Sequence, residues 1–267
     1  MMMGIVAKIV VTSLSILFVY SEDKMPDKRL ADVQRPWWYR YPYTMNNIEK
    51  HVFLMVTKLQ KKLEMKKATY DGHIGIFPAE VLNYVSFASH TSIRNVVEIG
   101  FNAGHSAVVL LASNPNIKLT SFTFQAVDDG VDFVKHTFLS QFDIVMGPSQ
   151  ITVKKWLPST PKGFIDLMVI DGNHTYPAPR EDFLMLLSRA HIGTRYIFDG
   201  VTKDCDDVVA AGWAAEIIRG STTNWYFSGQ DEASIGKRDG MQKNNMGTHG
   251  CSTSWCMGVI IKLPEQL

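Results

Sequence analysis

Two stretches of this chain carry groups whose types and spacing could do chemistry. In Ile165-Asp-Leu-Met-Val-Ile-Asp-Gly-Asn-His-Thr-Tyr176 an apolar run ends on Asp171, and His174 and Tyr176 follow at once on what reads as a loop. A second apolar run, Tyr196-Ile-Phe-Asp199, closes on another acid. If the two runs are neighbouring strands, both carboxylates face one pocket, and a cation or a protonated partner must offset their repulsion. The other stretch is Asn95-Val-Val-Glu-Ile-Gly-Phe-Asn-Ala-Gly-His-Ser-Ala-Val-Val-Leu-Leu-Ala112. It reads as a buried strand, a glycine turn and a helix start. Such a turn offers unpaired N–H groups and the positive end of a helix dipole to a ligand, and Gly100 and Gly104 let the backbone come close to it.

Spacing distinguishes between cofactors. A dinucleotide site needs G-x-G-x-x-G and an acid some 20 residues on; here the order is Glu98-x-Gly100-x-x-x-Gly104, with Asn102 where the middle glycine would fall. Nicotinamide is disfavoured. The pattern resembles the first motif of class I S-adenosylmethionine-dependent methyltransferases. The later phrase Asp171-Gly-x-His174-x-Tyr176, followed by a helix, a strand and Phe198-Asp199, resembles the branch of catechol-type O-methyltransferases and the methyltransferase domain 24 group.

The resemblance implies S-adenosyl-L-methionine as cofactor, held by Glu98, Gly100, Asn102, Gly104, Ser106, Thr123, Ser149 and Asp171. It implies catalysis by Asp171, His174 and Asp199, with Asp171 and Asp199 able to bind Mg²⁺ or another divalent cation and His174 standing where relatives have a lysine base. An imidazole, with an ordinary pKa of ~6.5, suits that task near neutral pH. Three positions depart from the group. Gly200 stands where an asparagine or aspartate follows the second metal-binding acid, Thr123 where an acid accepts from the cofactor ribose, and Pro148 where Gly-Asp-Ser has its aspartate. Asp128 or Asp129 are the nearby acids available to compensate for Thr123.

The elements that must position these groups alternate. Strands are expected at Asn95–Ile99, Leu119–Phe124, Asp143–Met146, Leu167–Ile170 and Tyr196–Phe198, with helices between them. The order specifies an α/β fold with a doubly wound, mostly parallel sheet and ligands at the strand C-terminal ends. Trp225-Tyr-Phe227 and Trp255 to Ile261 read as two more strands in an antiparallel terminal β-hairpin. After His174, a helix should bury Phe183, Leu184, Leu186 and Leu187 before Gly193 ends it. Ahead of the first strand lies a short helix, Ala79 to Ala88. Ahead of that, Ile48, Val52, Met55, Val56, Leu59 and Leu63 recur at helical spacing behind an Asn46/Glu49 capping box. Lys61, Lys62, Lys66 and Lys67 read as the solvated face of that helix.

Length and charge bound the rest. A chain of 267 residues with 46% hydrophobic content can bury a full core, and a net charge of +1 gives no basis for a nucleic-acid surface. Residues 1–21 differ from the remainder: Lys8 precedes the apolar run Ile9 to Tyr20, which is shorter than the ~20 residues of a membrane span. They are expected to be a signal peptide or a signal anchor, which implies the secretory pathway and either secretion or membrane attachment through this segment. Residues 22–71 then form a linker, including the aromatic-rich Arg35 to Tyr43, and the amphipathic helix; 72–267 form the methyltransferase domain. Cys205, Cys251 and Cys256 allow at most one internal disulfide, and a Cys251–Cys256 staple or free thiols are both compatible. Asn173-His-Thr175 is formally a glycosylation sequon inside the candidate site. The expected function is O-methylation of a small-molecule hydroxyl. The alternative is a secretory-pathway pseudoenzyme that keeps the fold and binds a ligand or partner.

Overall fold

The computed structural model describes residues 45–70, 74, 78–175 and 177–199, and the backbone of 222–228 and 254–260. The leader, the aromatic segment, Tyr176, Gly200, Cys205 and Cys251 lie outside the described residues. The sheet and its helices belong to one compact unit that begins at Met45.

The strands Asn95–Ile99 and Ile165–Ile170 are short, largely apolar runs, each closed by a turn. In chain order the elements are α1 (Asn47–Met65), α2 (Pro78–Ala88), β1 (Asn95–Ile99), α3 (His105–Ser113), β2 (Lys118–Thr123), α4 (Asp128–Phe138), β3 (Phe142–Met146), α5 (Ser149–Trp156), β4 (Ile165–Ile170), α6 (Ala178–Leu187), β5 (Ala190–Asp199), β6 (Thr222–Ser228) and β7 (Ser254–Ile260). The sheet order is β3-β2-β1-β4-β5-β7-β6. Strands β1 to β5 pair in parallel, while β7 runs antiparallel to both β5 and β6. Strand order reverses between β1 and β4. A crevice therefore opens there beyond the strand C-termini, which is where doubly wound sheets bind ligands.

Side chains explain the layers. Val96, Val97 and Ile99 of β1 and Leu167 to Ile170 of β4 are at most 2% exposed, because helices cover both faces of a parallel sheet. On one face Phe183, Leu186 and Leu187 of α6 pack with Tyr196 and Phe198 of β5 and with Phe122 of β2. Phe183 lies 5.0 Å from Phe198 and 5.4 Å from Tyr196, ring centre to ring centre. On the other face α3 is buried along nearly its whole surface, and α1 and α2 cover it.

Helix α1 has the capping box its sequence promises. Asn46 Oδ1 accepts from Glu49 N–H at 3.0 Å, and Glu49 Oε2 accepts from Asn46 N–H at 2.7 Å. Its packing face is rotated from the expected one: Ile48 is 42% exposed, and Phe53, at 1%, takes its place beside Val52, Val56, Leu59 and Leu63. Lys61, Lys66 and Lys67 are exposed, as a solvated face requires. Because α1 packs on α3, the boundary drawn at residue 72 falls inside a compact unit that begins at Met45.

Two further departures concern β5 and α6. The helix ends at Leu187, not at Gly193, and the chain enters β5 at Ala190, which pairs with Ile165. Gly193 (φ +98°) instead sits in an irregularity of β5, where the register against β4 shifts between Ile165 and Leu167. There Thr194 Oγ1 donates to Ile165 O at 2.7 Å and accepts from His191 N–H at 2.8 Å, so a side chain satisfies the backbone groups that the bulge unpairs.

Candidate active site

Register brings three strand ends to one rim. Ile99 pairs with Phe122 on one side and with Ile170 on the other, and Ile170 pairs with Phe198. Gly100, Asp171 and Asp199 are the next residues on their strands, so they emerge side by side. Gly100 N–H donates to Phe122 O and Asp171 N–H to Ile99 O, both at 2.8 Å. The β1 and β4 ends are stitched together at the switch point itself.

The turn after β1 has the left-handed conformations its glycines permit: Gly100 φ +99°, Asn102 φ +47° and Gly104 φ +87°. A Cβ on Gly100 would lie 1.9 Å from Asp171 O, so only glycine allows β1 and β4 to close up at this point. At Gly104 the obstruction comes from within the turn. A Cβ there would lie 2.6 Å from Phe101 Cζ, so the glycine accommodates the protein's own ring and not a ligand. Phe101 is 1% exposed and stacks on Phe142 at 5.4 Å, tucked beneath the turn.

Glu98 and Ser106, both expected at the cofactor, lie under the turn instead. Glu98 is 0% exposed, and its carboxylate accepts from Ser106 Oγ at 2.5 Å and from Ser121 Oγ. These bonds join β1, α3 and β2 beneath the rim. Burial pushes the Glu98 carboxyl up to about 7, the two serine hydroxyls pull it down, and the Asp171 charge adds to the rise. Thr123 is likewise committed: its hydroxyl donates to Gln125 O at 2.6 Å and accepts from Phe101 N–H at 3.2 Å. Asn102 is partly exposed on the rim; its carbonyl accepts from Val127 N–H at 2.9 Å. Ser149, also partly exposed, begins α5. Asp128 and Asp129 form the first turn of α4.

At the other side of the crevice, Asp171, His174 and Asp199 each offer one ligand atom, and the three atoms lie within 4.8 Å of one another. His174 Nε2 is 3.3 Å from Asp171 Oδ1, and these side chains are 32% and 36% exposed. The loop is held locally, since Asn173 Oδ1 accepts from both Thr175 N–H, at 2.9 Å, and the Thr175 hydroxyl. Asp199 is pushed well above the usual carboxylate range, first by burial and then by the Asp171 charge; His174 and a hydrogen bond with Glu80 act against this. The donor set fits a divalent cation. Atoms around one ion at ~2.0–2.6 Å stand no further apart than about twice that distance.

Several participants escape a reading of the sequence alone. Glu80, in the first turn of α2, reads as a helix-start acid; in the fold it is 4% exposed and reaches Asp199. Tyr84, one turn later and fully buried, is raised well above its ordinary value by burial and by the charges of Glu80, Asp171, Asp199 and Glu98. At the ends of β2 and β3, Phe124 and Met146 are 75% and 54% exposed, an apolar surface beside the turn. A hydrophobic residue at the end of a strand was the available signal for both. Asp182 of α6 is 0% exposed and neither carboxylate oxygen meets a partner at hydrogen-bond geometry. Burial pushes it up to about 6, and the nearby Ser149 hydroxyl moderates the rise.

A parallel sheet in the order 3-2-1-4-5, an antiparallel strand beyond it and a glycine turn at the switch point define the class I S-adenosylmethionine-dependent methyltransferase fold. Residues 97–201 match a family described as "Methyltransferase domain". Among solved structures, an O-methyltransferase from Streptomyces achromogenes involved in tomaymycin synthesis, in complex with SAM, aligns with TM-score 0.56 at 13% identity over 85% of this chain and 95% of that one. An O-methyltransferase from Bacillus cereus in complex with SAH aligns with TM-score 0.51 at 14% identity over 82% and 93%. At such identities it is the fold that is shared. No curated protein matches the chain in sequence. Among the described residues, no helix is long and apolar enough to cross a membrane.

Proposed function

We propose that this chain transfers the methyl group of S-adenosyl-L-methionine to a hydroxyl of a small molecule in the crevice between the ends of β1 and β4. The observation that carries the reading is the close approach of Gly100 to Asp171 at the point where strand order reverses. The start of α3 would face the cofactor, whereas in the turn before it the N–H groups of Gly100, Phe101 and Gly104 already donate to Phe122 O, Thr123 Oγ1 and Phe101 O. Phe124 and Met146 would supply apolar contact for a flat ring, and Asn102 and Ser149 polar contacts at the edge. Thr123 has its hydroxyl engaged with backbone, which leaves little of it for a ribose.

The reaction is an in-line displacement. The acceptor oxygen attacks the methyl carbon, the carbon–sulfur bond breaks with its electron pair going to sulfur, and the hydroxyl proton leaves. Orientation of the two reactants supplies much of the rate. The proton departs towards the carboxylates of Asp171 and Asp199, and a positioned base in such a place contributes about 10²–10⁴-fold. A divalent cation held there would make the acceptor hydroxyl more acidic and orient it.

Calorimetric titration of the purified chain with S-adenosylmethionine, followed by transfer of labelled methyl to a panel of phenols and vicinal diols, tests the proposal. Saturable binding and label in an acceptor are expected. Absence of binding to a folded protein would refute it, and binding without transfer to any acceptor would favour the ligand-binding pseudoenzyme.

A further inference from the structure

We propose that His174 is a ligand to the cation and not the proton acceptor: Asp171, His174 and Asp199 together form a two-carboxylate, one-imidazole site for a divalent transition-metal ion, which it prefers over Mg²⁺. The inference deepens the proposed function and rests on it only for what the ion would do; binding of the ion stands on geometry alone.

The spacing of the donor atoms supports this. One atom from each of the three side chains lies within 4.8 Å of the others, and Nε2 of His174 is already 3.3 Å from Asp171 Oδ1. The pairing of Ile170 with Phe198 fixes where both acids leave the sheet, and the Asn173–Thr175 bonds fix the loop that carries the imidazole. A third donor is also required. Gly200, next after Asp199, has no side chain to give, and two carboxylates alone hold a divalent ion weakly.

The surroundings call for positive charge. Glu80 on α2, 4% exposed, is hydrogen-bonded to Asp199, and the buried Glu98 lies behind. Asp171 and Asp199 leave neighbouring strands at one end of the crevice, and a cation between them offsets the repulsion of their charges.

Donor chemistry then sets selectivity. Carboxylate-and-water sites suit Mg²⁺, whereas imidazole nitrogen suits Fe²⁺, Co²⁺, Ni²⁺ and Zn²⁺, whose affinities also rise along the first transition row. An imidazole in the third position therefore moves the site away from Mg²⁺. A histidine that served only as base would leave the ion to the two aspartates and show no such preference.

The experiment is titration of the full chain, freed of metal, with Co²⁺ and separately with Mg²⁺. Visible absorption reports Co²⁺ and calorimetry reports both ions, with no turnover required. Co²⁺ is expected to develop ligand-field bands and to bind at least about tenfold tighter than Mg²⁺. His174→Ala, shown folded by circular dichroism, should weaken Co²⁺ by at least about tenfold and alter the bands, while weakening Mg²⁺ less. Asp199→Asn should weaken both ions and serves if the His174 variant does not fold. Equal affinities for the two ions, no binding of either, or Co²⁺ binding unchanged in His174→Ala would each overturn the proposal. Titration with S-adenosylmethionine in the same preparations separates the two readings. If the cofactor binds while Co²⁺ fails, only the metal site falls; if Co²⁺ binds while the cofactor fails, only the methyltransferase reading falls.

Discussion

Replacing Glu98 with glutamine should flatten the dependence of folding stability on pH. Glu98 has no exposed surface, and its carboxyl titrates near 7 in the folded chain against 4.5 for the ordinary value. Because the folded state holds this proton more tightly than the unfolded state, unfolding releases it between those values. Stability therefore falls as pH rises from about 4.5 towards 7 and levels off above that. Each tenfold difference in proton affinity between the two states is worth ~1.4 kcal/mol, so the loss on complete ionisation is about 3 kcal/mol. Urea unfolding followed by tryptophan fluorescence, at half-unit intervals from pH 4.5 to 8, measures it. Glu98→Gln keeps an acceptor for one of Ser106 and Ser121 and carries no charge, so wild type minus variant should change by about 2–3 kcal/mol across the range. Asp182 contributes a slope of the same sign to both proteins and cancels in the difference. Parallel curves for the two proteins would refute the reasoning and mean that the carboxylate under the turn is ionised without penalty.

Asp182→Asn should stabilise the protein by about 1–2 kcal/mol at pH 8 and hardly at all at pH 4, since its folded titration near 6 also exceeds the unfolded value; thermal melts at both pH values read this. Gly100→Ala should lower the melting temperature severely and abolish cofactor binding, because the new Cβ meets Asp171 O and the backbone is left-handed there; a folded, binding-competent variant would contradict the close approach. Gly104→Ala should also destabilise, and Phe101→Leu in the same chain should recover part of the melting temperature by removing the ring atom the Cβ strikes. Asn46→Ala, which removes one half of the α1 capping box, should cost ~1 kcal/mol in urea unfolding.

What the sequence announced is what is local. The β-branched run before Gly100, the acid ending each apolar strand and the Asn46/Glu49 box each declare themselves within a few residues, and β1, β4 and α1 form where their patterns indicate. What it hid depends on contacts between distant segments. Glu80 becomes part of the site because the fold brings the start of α2 to the end of β5, and Glu98 turns inward because Ser121 waits on the neighbouring strand. Gly193 carries the ordinary signature of a helix end, yet Thr194 reaches back to Ile165 and converts that glycine into part of a strand irregularity. Phe101 gave no hint that a ring would fill the space Gly104 leaves open.

Synthesis runs from the amino terminus, and α1 leaves the ribosome well before the helix it covers. The surface that Val52, Phe53, Val56, Leu59 and Leu63 pack against does not exist until His105–Ser113 has been made and β1 has found β2 and β4. At ~5–20 residues per second, that apolar stripe waits on the order of seconds in the nascent chain. During this interval the capping box favours the helix locally, before the packing that completes it exists.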